Sequence, residues 1–428
     1  MSRCIGRSGV RILAVAMGAV VSLAHAPEAA SASPPPGIYT VSELDLLGRP
    51  LVAYSNLSGD GSIVRGLLAS NQIWSHPTGA GPMYPTGYAG PPTVWDATPD
   101  LSFVLGLSRQ STGWVIARRD GSGEISLPRL LSGQVPISPS QLSPNAQYAT
   151  GSYTVGLPPF TNREVARWSA SGSAQVLERD PDFDANVAVA VTDDGVVYGN
   201  GLKDQTSNGV WSWPSQSAIR WDAAGQSERL AGTDADGHAW KLVELVQIGS
   251  GGAKWLGYGS VERPAASGVG IENVGVIGVF DESGVDFAMS ERRPGQSGTG
   301  PYRLGMSMDA SVLYGHRLTS TFLDDPRIWT RETGEVPFRV YLESMGLDTS
   351  RWTLGAILDI SDDGRAFLAY GTEIGGRGFQ VLVVVPEPGS ASLLGTGLIA
   401  LACASVRSGS ARTRAVLPDQ ERDREQRA

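Results

Sequence analysis

A short unit returns along most of this chain and limits its possible folds: a polar turn, a β-prone run and a closing glycine. It reads Ser58-Gly-Asp-Gly-Ser-Ile-Val-Arg-Gly66, Thr98-Pro-Asp-Leu-Ser-Phe-Val-Leu-Gly106 and Ser143-Pro-Asn-Ala-Gln-Tyr-Ala-Thr-Gly151. It returns as Thr192-Asp-Asp-Gly-Val-Val-Tyr-Gly199, Ser307-Met-Asp-Ala-Ser-Val-Leu-Tyr-Gly315 and Ser361-Asp-Asp-Gly-Arg-Ala-Phe-Leu-Ala-Tyr-Gly371, with a looser copy from Ser250 to Gly257. Asp-Gly and Pro-Asn supply a tight turn, and the aromatic and β-branched residues after it supply a strand. The closing glycine suits a bend or a close approach of neighbouring backbone.

A second piece follows each copy: an aromatic-ended strand, a polar turn and glycine. It appears as Ala166-Arg-Trp168-Ser-Ala-Ser-Gly172, Ile219-Arg-Trp221-Asp-Ala-Ala-Gly225 and Arg327-Ile-Trp329-Thr-Arg-Glu-Thr-Gly334. Val279-Phe280-Asp-Glu-Ser-Gly284 has phenylalanine instead, and Trp74 before Gly79 and Trp114 before Gly121 are fainter copies. One large ring per repeat predicts a wedge that fills the space between adjacent sheets. The closing glycines lie about 40 to 58 residues apart, the spacing of one four-stranded blade per repeat. The expected fold is therefore all-β, a β-propeller of about seven four-stranded blades, with a one-way β-solenoid as the competitor. Tyr39–Val41 and Phe379–Val385 are expected to share one blade and close the ring, and a short helix is expected within Val336–Leu358.

Composition agrees with many short strands. The chain has 428 residues, Gly 54 and Pro 27, while 41% hydrophobic residues still allow a core. A formal net charge of −9 and the lack of a basic stripe exclude nucleic acid as the expected partner. The two cysteines, Cys4 and Cys403, lie outside the repeats, so the body can hold no disulfide and no thiolate metal site.

Both ends point to export. Arg3, Arg7 and Arg11 precede an apolar run from Ile12 to Leu23, and Ala30-Ser31-Ala32 fits a cleavage site better than Ala24-His25-Ala26, which Pro27 follows. This predicts a signal peptide over 1–32 and a Pro34-Pro35-Pro36 linker over 33–38, leading into a repeat domain over 39–385. At the other end, Pro386-Glu387-Pro388 cuts off the last strand-like run, because neither proline can donate to a sheet. An apolar stretch over 391–406 follows, roughly 24 Å long as a helix and interrupted by Gly395 and Gly397; Arg407, Arg412 and Arg414 come next. The arginines would hold that end on the cytoplasmic side.

This tail resembles the PEP-CTERM sorting signal of exported bacterial proteins, over residues 386–414. The resemblance implies recognition by exosortase, a membrane protease-transpeptidase, and cutting at the Pro-Glu-Pro box. Two departures are visible: Ser408 to Ala411 dilute the basic cluster, and a polar tail occupies 415–428. The body resembles the HAF-type extracellular repeat, best in its last unit, with Trp329-Thr-Arg-Glu-Thr-Gly334, Met345-Gly-Leu-Asp348, Trp352-Thr-Leu354 and Ile360-Ser-Asp-Asp-Gly364. That likeness implies a secreted repeat protein.

Chemistry-bearing patterns are sparse. Asp180, Asp182 and Asp184 alternate as in a calcium loop, but the glycine and distant glutamate of such a loop are missing, so an exposed acidic loop is expected. Asp234-Ala-Asp236-Gly237-His238 reads as a plain turn. His76, His238 and His316 occur singly, without zinc-binding spacing, although His316 follows Gly315 and could line one end of the ring. No Gly-x-Ser-x-Gly in a strand–turn–helix context and no nucleotide fingerprint occurs. No cofactor is expected. The sequence thus predicts an exported, non-catalytic cell-surface or matrix protein. Its expected partners are exosortase, the secretion machinery, the membrane through the 391–406 helix, and exopolysaccharide or other surface components. The competing reading is a secreted propeller hydrolase or lyase acting on polysaccharide.

Overall fold

A computed structural model describes residues 35–41, 51–61, 63–68, 72–77, 84–89, 93–98, 103–110, 113–120, 123–127, 135–155, 162–203, 205–207, 210–212, 215–294, 300–318, 324–376 and 380–386. After β1 (Gly37–Val41), sheet 1 holds β2 (Leu51–Leu57), β3 (Ile63–Leu68), β4 (Gln72–Pro77) and β5 (Tyr84–Ala89). Sheet 2 holds β6 (Thr93–Ala97), β7 (Val104–Gln110), β8 (Gly113–Asp120) and β9 (Gly123–Ser126). Sheet 3 comprises β10 (Val135–Leu142), β11 (Tyr148–Val155), β12 (Asn162–Ser169) and β13 (Ala174–Val176). Sheet 4 comprises β14 (Ala185–Val191), β15 (Val197–Leu202), β18 (Ser215–Trp221) and β19 (Ser227–Arg229), with a separate hairpin of β16 (Gln205–Ser207) and β17 (Val210–Ser212) inserted before β18. A single parallel bridge, Arg163 with Ala185, joins sheets 3 and 4. Sheet 5 runs β20 (Ala231–Thr233), β21 (Ala239–Ile248), β22 (Trp255–Pro264), β23 (Ile271–Asp281) and β24 (Gly284–Arg292). Sheet 6 has β25 (Tyr302–Met306), β26 (Val312–Leu318), β27 (Asp324–Thr330) and β28 (Gly334–Pro337), and the expected short helix follows as α1 (Phe338–Ser344). Sheet 7 has β29 (Trp352–Ile360), β30 (Ala366–Glu373) and β31 (Gln380–Val384). Its fourth strand is β1, antiparallel to β31 with Gly37 opposite Val384, so start and end share a sheet as expected.

The repeated turn is held from inside by its hydroxyl. Ser58, Thr98, Ser143, Thr192, Ser307 and Ser361 are all buried. The hydroxyl donates to the acid or amide two residues on, as in Ser58 to Asp60 (2.7 Å), Ser143 to Asn145 (2.9 Å), Ser307 to Asp309 (2.6 Å) and Ser361 to Asp363 (2.7 Å). It also accepts the N–H that opens the next strand, from Phe103, Tyr148, Val312 and Ala366. These bonds satisfy backbone donors that a tight turn would leave unpaired. The fourth turn residue has a left-handed backbone in the five copies of this set where it is described: Gly61, Gly195 and Gly364, but also Ala146 (φ 56°) and Ala310 (φ 57°). In sheet 5 the copy begins at Gly249, not Ser250: Gly249 N–H donates to Lys254 O, and Gly252 (φ 73°) closes the turn.

Successive turns are stitched together by main chain. Ser250 N–H donates to Met308 O (2.7 Å), Met308 N–H to Asp362 O (3.0 Å), and Asp362 N–H to Gly59 O (2.7 Å). This collar runs from sheet 5 through 6 and 7 to sheet 1. The equivalent positions of sheets 2 and 3 are Pro99 and Pro144, which have no N–H to give.

The aromatic wedge lies where the repeat placed it. Trp168 and Trp221 are fully buried and Trp329 is 2% exposed. Trp168 packs with Leu105 and Leu127 of the preceding sheet and its loop, Trp221 with Val165 and Leu177, and Trp329 with Leu256, Val279 and Met289. Phe280 does the same against Tyr198 and Ala218. Each ring thus fills the gap to the sheet before it, burying 150–250 Å² by the usual size of such side chains, or roughly 4–6 kcal/mol of transfer free energy. The closing glycine makes room: a Cβ on Gly315 would sit 3.4 Å from Trp329 Cζ3 and 2.9 Å from Leu304 Cδ2.

Candidate functional site

The last described strand leads straight towards the Pro386-Glu387-Pro388 stretch that the sequence marks as a candidate sorting box. Strand β31 ends at Val384; Val385 is 1% exposed and its N–H donates to Arg365 O at 2.8 Å. Half-buried Pro386 follows at once. The remaining signal residues Glu387, Pro388, Arg407, Arg412 and Arg414, the 391–406 segment and the 1–32 leader lie outside the described residues. Among the described residues, no helix is long and apolar enough to cross a membrane.

Of the acidic triplet, Asp182 and Asp184 are exposed, as expected, while Asp180 is held in an arginine clamp. Asp180 is buried and takes a bidentate bond from Arg229 on β19, at 2.8 and 2.9 Å, and Arg229 also pairs with Asp182. The guanidinium holds the Asp180 carboxyl below the usual range, and it stacks 4.9 Å above the Phe183 ring. A calcium ion at this triplet would have to displace Arg229 from Asp180 and Asp182.

His316 does not line the ring's mouth. It is fully buried, and its Nε2 accepts the N–H of Ile357 from the next sheet at 3.2 Å, which puts the ring proton on Nδ1. The position after the closing glycine is a joint between sheets in two further copies. Ser152 Oγ accepts from Ala188 N–H (3.1 Å), and Asn200 exchanges two bonds with the Leu245 backbone (2.7 and 2.9 Å). A second set of joints comes from first strands: Asp96 accepts from Leu142 N–H (2.7 Å), Gln247 from Met306 N–H (2.9 Å), and Asp359 from Leu57 N–H (2.9 Å). The last of these closes sheet 7 onto sheet 1. Burial pushes the Asp359 carboxyl up to about 6 despite the N–H groups of Leu57 and Ile360. His316 and Asp359 are thus both acceptors for neighbouring backbone. The sequence hid this because nothing in a lone His or Asp tells an inter-sheet joint from a ligand; the place after the glycine was the available signal.

One group of ligating side chains converges among the described residues: Asp234, Asp236 and His238, with ligand atoms within 4.8 Å of one another, in the β20–β21 turn.

No protein-family model matches the chain, and no curated protein sequence does. An oligogalacturonate lyase solved in complex with manganese is similar over 82% of this chain and 97% of its own, at 12% identity and a TM-score of 0.50. The fold is a β-propeller. Two further structures are similar: an oligogalacturonate lyase from Vibrio parahaemolyticus, over 83% of this chain and 93% of its own (8% identity, TM-score 0.49), and the β-propeller domain of the Trilobed protease from Pyrococcus furiosus, over 78% and 95% (11%, 0.45). At these identities the likeness speaks for the propeller alone.

Proposed function

We propose that this propeller is a seven-bladed, exported, non-catalytic surface or matrix protein, delivered by its N-terminal signal and processed by exosortase at Pro386-Glu387-Pro388. Its blades bind envelope or matrix components, with exopolysaccharide as the first candidate. The observation that carries the reading is the place of Pro386. Among the described residues, buried Val385 follows the end of strand β31 and half-buried Pro386 comes directly after it, so the box begins two residues past that strand. Two prolines there fix φ near −65° and remove two N–H donors, which keeps the backbone extended and unpaired for a protease. The partner strand agrees with this: Gly37 at the start of β1 lies opposite Val384 at the end of β31, so the first and last described strands pair in sheet 7.

The test is to replace Pro386-Glu387-Pro388 by Ala-Ala-Ala in a host that contains an exosortase. Export and folding should persist, while the variant stays larger by about 4 kDa and fractionates with membranes, the consequence of an unprocessed terminal segment. Wild-type protein should be trimmed in that host and stay uncut in a host without the enzyme. Equal size and equal membrane retention of both proteins in both hosts would reduce the tail to an anchor.

A further inference from the structure

The β20–β21 turn is over-equipped for a turn. Asp234 N–H donates to His238 O (2.9 Å), Gly237 N–H donates to Asp234 O (3.0 Å), and Gly237 takes φ 83°. Asp234 Oδ1 accepts the N–H groups of Asp236 (3.0 Å) and His238 (2.8 Å). The β18–β19 turn has the same frame: Asp222 N–H to Gln226 O (3.1 Å), Gly225 N–H to Asp222 O (2.9 Å), Gly225 at φ 87°, and Gln226 N–H to Asp222 Oδ1 (2.9 Å). There the third and fifth residues are Ala224 and Gln226. The frame therefore needs only the first Asp and the Gly. Asp236 and His238 are not required by it.

What they add is a set of convergent ligand atoms. The second oxygen of Asp234, Oδ2, faces His238 Nδ1 at 3.7 Å, too far for a hydrogen bond. That nitrogen is shielded from solvent and has no hydrogen-bond partner among the described residues. Two ligands about 2.0–2.2 Å from one tetrahedral ion lie roughly 3.3–3.6 Å apart, close to the spacing seen. Asp236 is exposed, and its carboxylate can swing onto the same point. One cation already stands nearby: Arg263 Nη1, 3.6 Å from Asp234 Oδ2, in a pair that is about one-third exposed on the arginine side. Such a pair is weak and yields to a more strongly held ion.

We propose that Asp234 Oδ2, the Asp236 carboxylate and His238 Nδ1 form a binding site for a divalent ion of the zinc class, with solvent or a ligand completing the shell. An imidazole with two carboxylates favours a borderline ion over calcium or magnesium, which take oxygen alone. The site is independent of how the tail is processed.

Isothermal titration of the full-length, tag-free protein with ZnCl2 tests it, with CaCl2 as the oxygen-preferring comparison. One equivalent of Zn2+ should bind, and Ca2+ should bind at least about tenfold more weakly. His238→Ala and Asp236→Asn should each weaken Zn2+ at least about tenfold without changing the circular dichroism spectrum, since the frame does not use either side chain. Arg263→Gln should tighten Zn2+, because it removes the competing cation. No Zn2+ uptake by the wild type, uptake indifferent to His238→Ala, or weaker binding in Arg263→Gln would each overturn the proposal.

Discussion

The turns at Ser250, Met308 and Asp362 and that at Pro144 belong to one repeat, yet they meet their neighbours differently. In the first group each N–H reaches the next turn's carbonyl, so sheets 5, 6, 7 and 1 are sewn together through main chain. At Pro144 that donor is missing, and the next N–H, of Asn145, turns to the Asp193 carboxylate instead (2.8 Å). The main-chain collar also spans the closure between the last and first sheets, beside the Asp359–Leu57 bond. The repeat is constant in its turn but free in its seams. The buried hydroxyl, the left-handed fourth residue and the wedge recur around both the Ser143 and the Ser307 turns, whereas the means of joining neighbouring turns differs.

The largest expected effect tests what the two halves share. Trp168→Ala and Trp329→Ala should each cost about 3–5 kcal/mol in chemical unfolding, because both rings are buried against the preceding sheet. A large loss at one and none at the other would mean that the halves are not built alike.

A smaller effect separates the halves. Met308→Pro copies the proline turns into the collar and removes one donor, at an expected cost of about 1–2 kcal/mol. The reverse change, Pro144→Ala, should shift stability by about 0.5 kcal/mol or less, since a donor is gained as chain rigidity is lost. Equal losses from both substitutions, read from urea midpoints, would erase the distinction.

The smallest effect returns to the shared turn. Ala146 and Ala310 hold backbone angles that suit glycine, one in each half. Ala146→Gly and Ala310→Gly should each stabilise by about 0.5–1 kcal/mol, the strain of a left-handed Cβ less glycine's entropy. Destabilisation by either would show that the turn is not strained there.

Much of this was legible in the sequence, for physical reasons that differ by residue. The tryptophans announced themselves because one large ring per repeat has few places to go. The paired ends were legible from strand-like runs at Tyr39–Val41 and before Pro386. The role of Ser58 and its equivalents was hidden, because a turn serine looks like a solvated one until its burial is seen. His316 and Asp180 misled for a related reason: their partners, Ile357 N–H and Arg229, are distant in sequence, and only the stacking of sheets brings them together. The register of the Gly249 copy was off by one because glycine replaced the hydroxyl that marks the others.

Amide hydrogen exchange tests the collar most directly. Ser250, Met308 and Asp362 lie in turns between strands, where unpaired amides exchange quickly, whereas amides tied into the folded ring open only with larger units. The account predicts that these three exchange as slowly as the amides of neighbouring strands, and that Met308→Pro speeds the exchange of Ser250, whose acceptor is the carbonyl of residue 308, while leaving Asn145 unchanged. Rapid exchange at all three positions in the wild-type protein would contradict a main-chain seal between sheets 5, 6, 7 and 1.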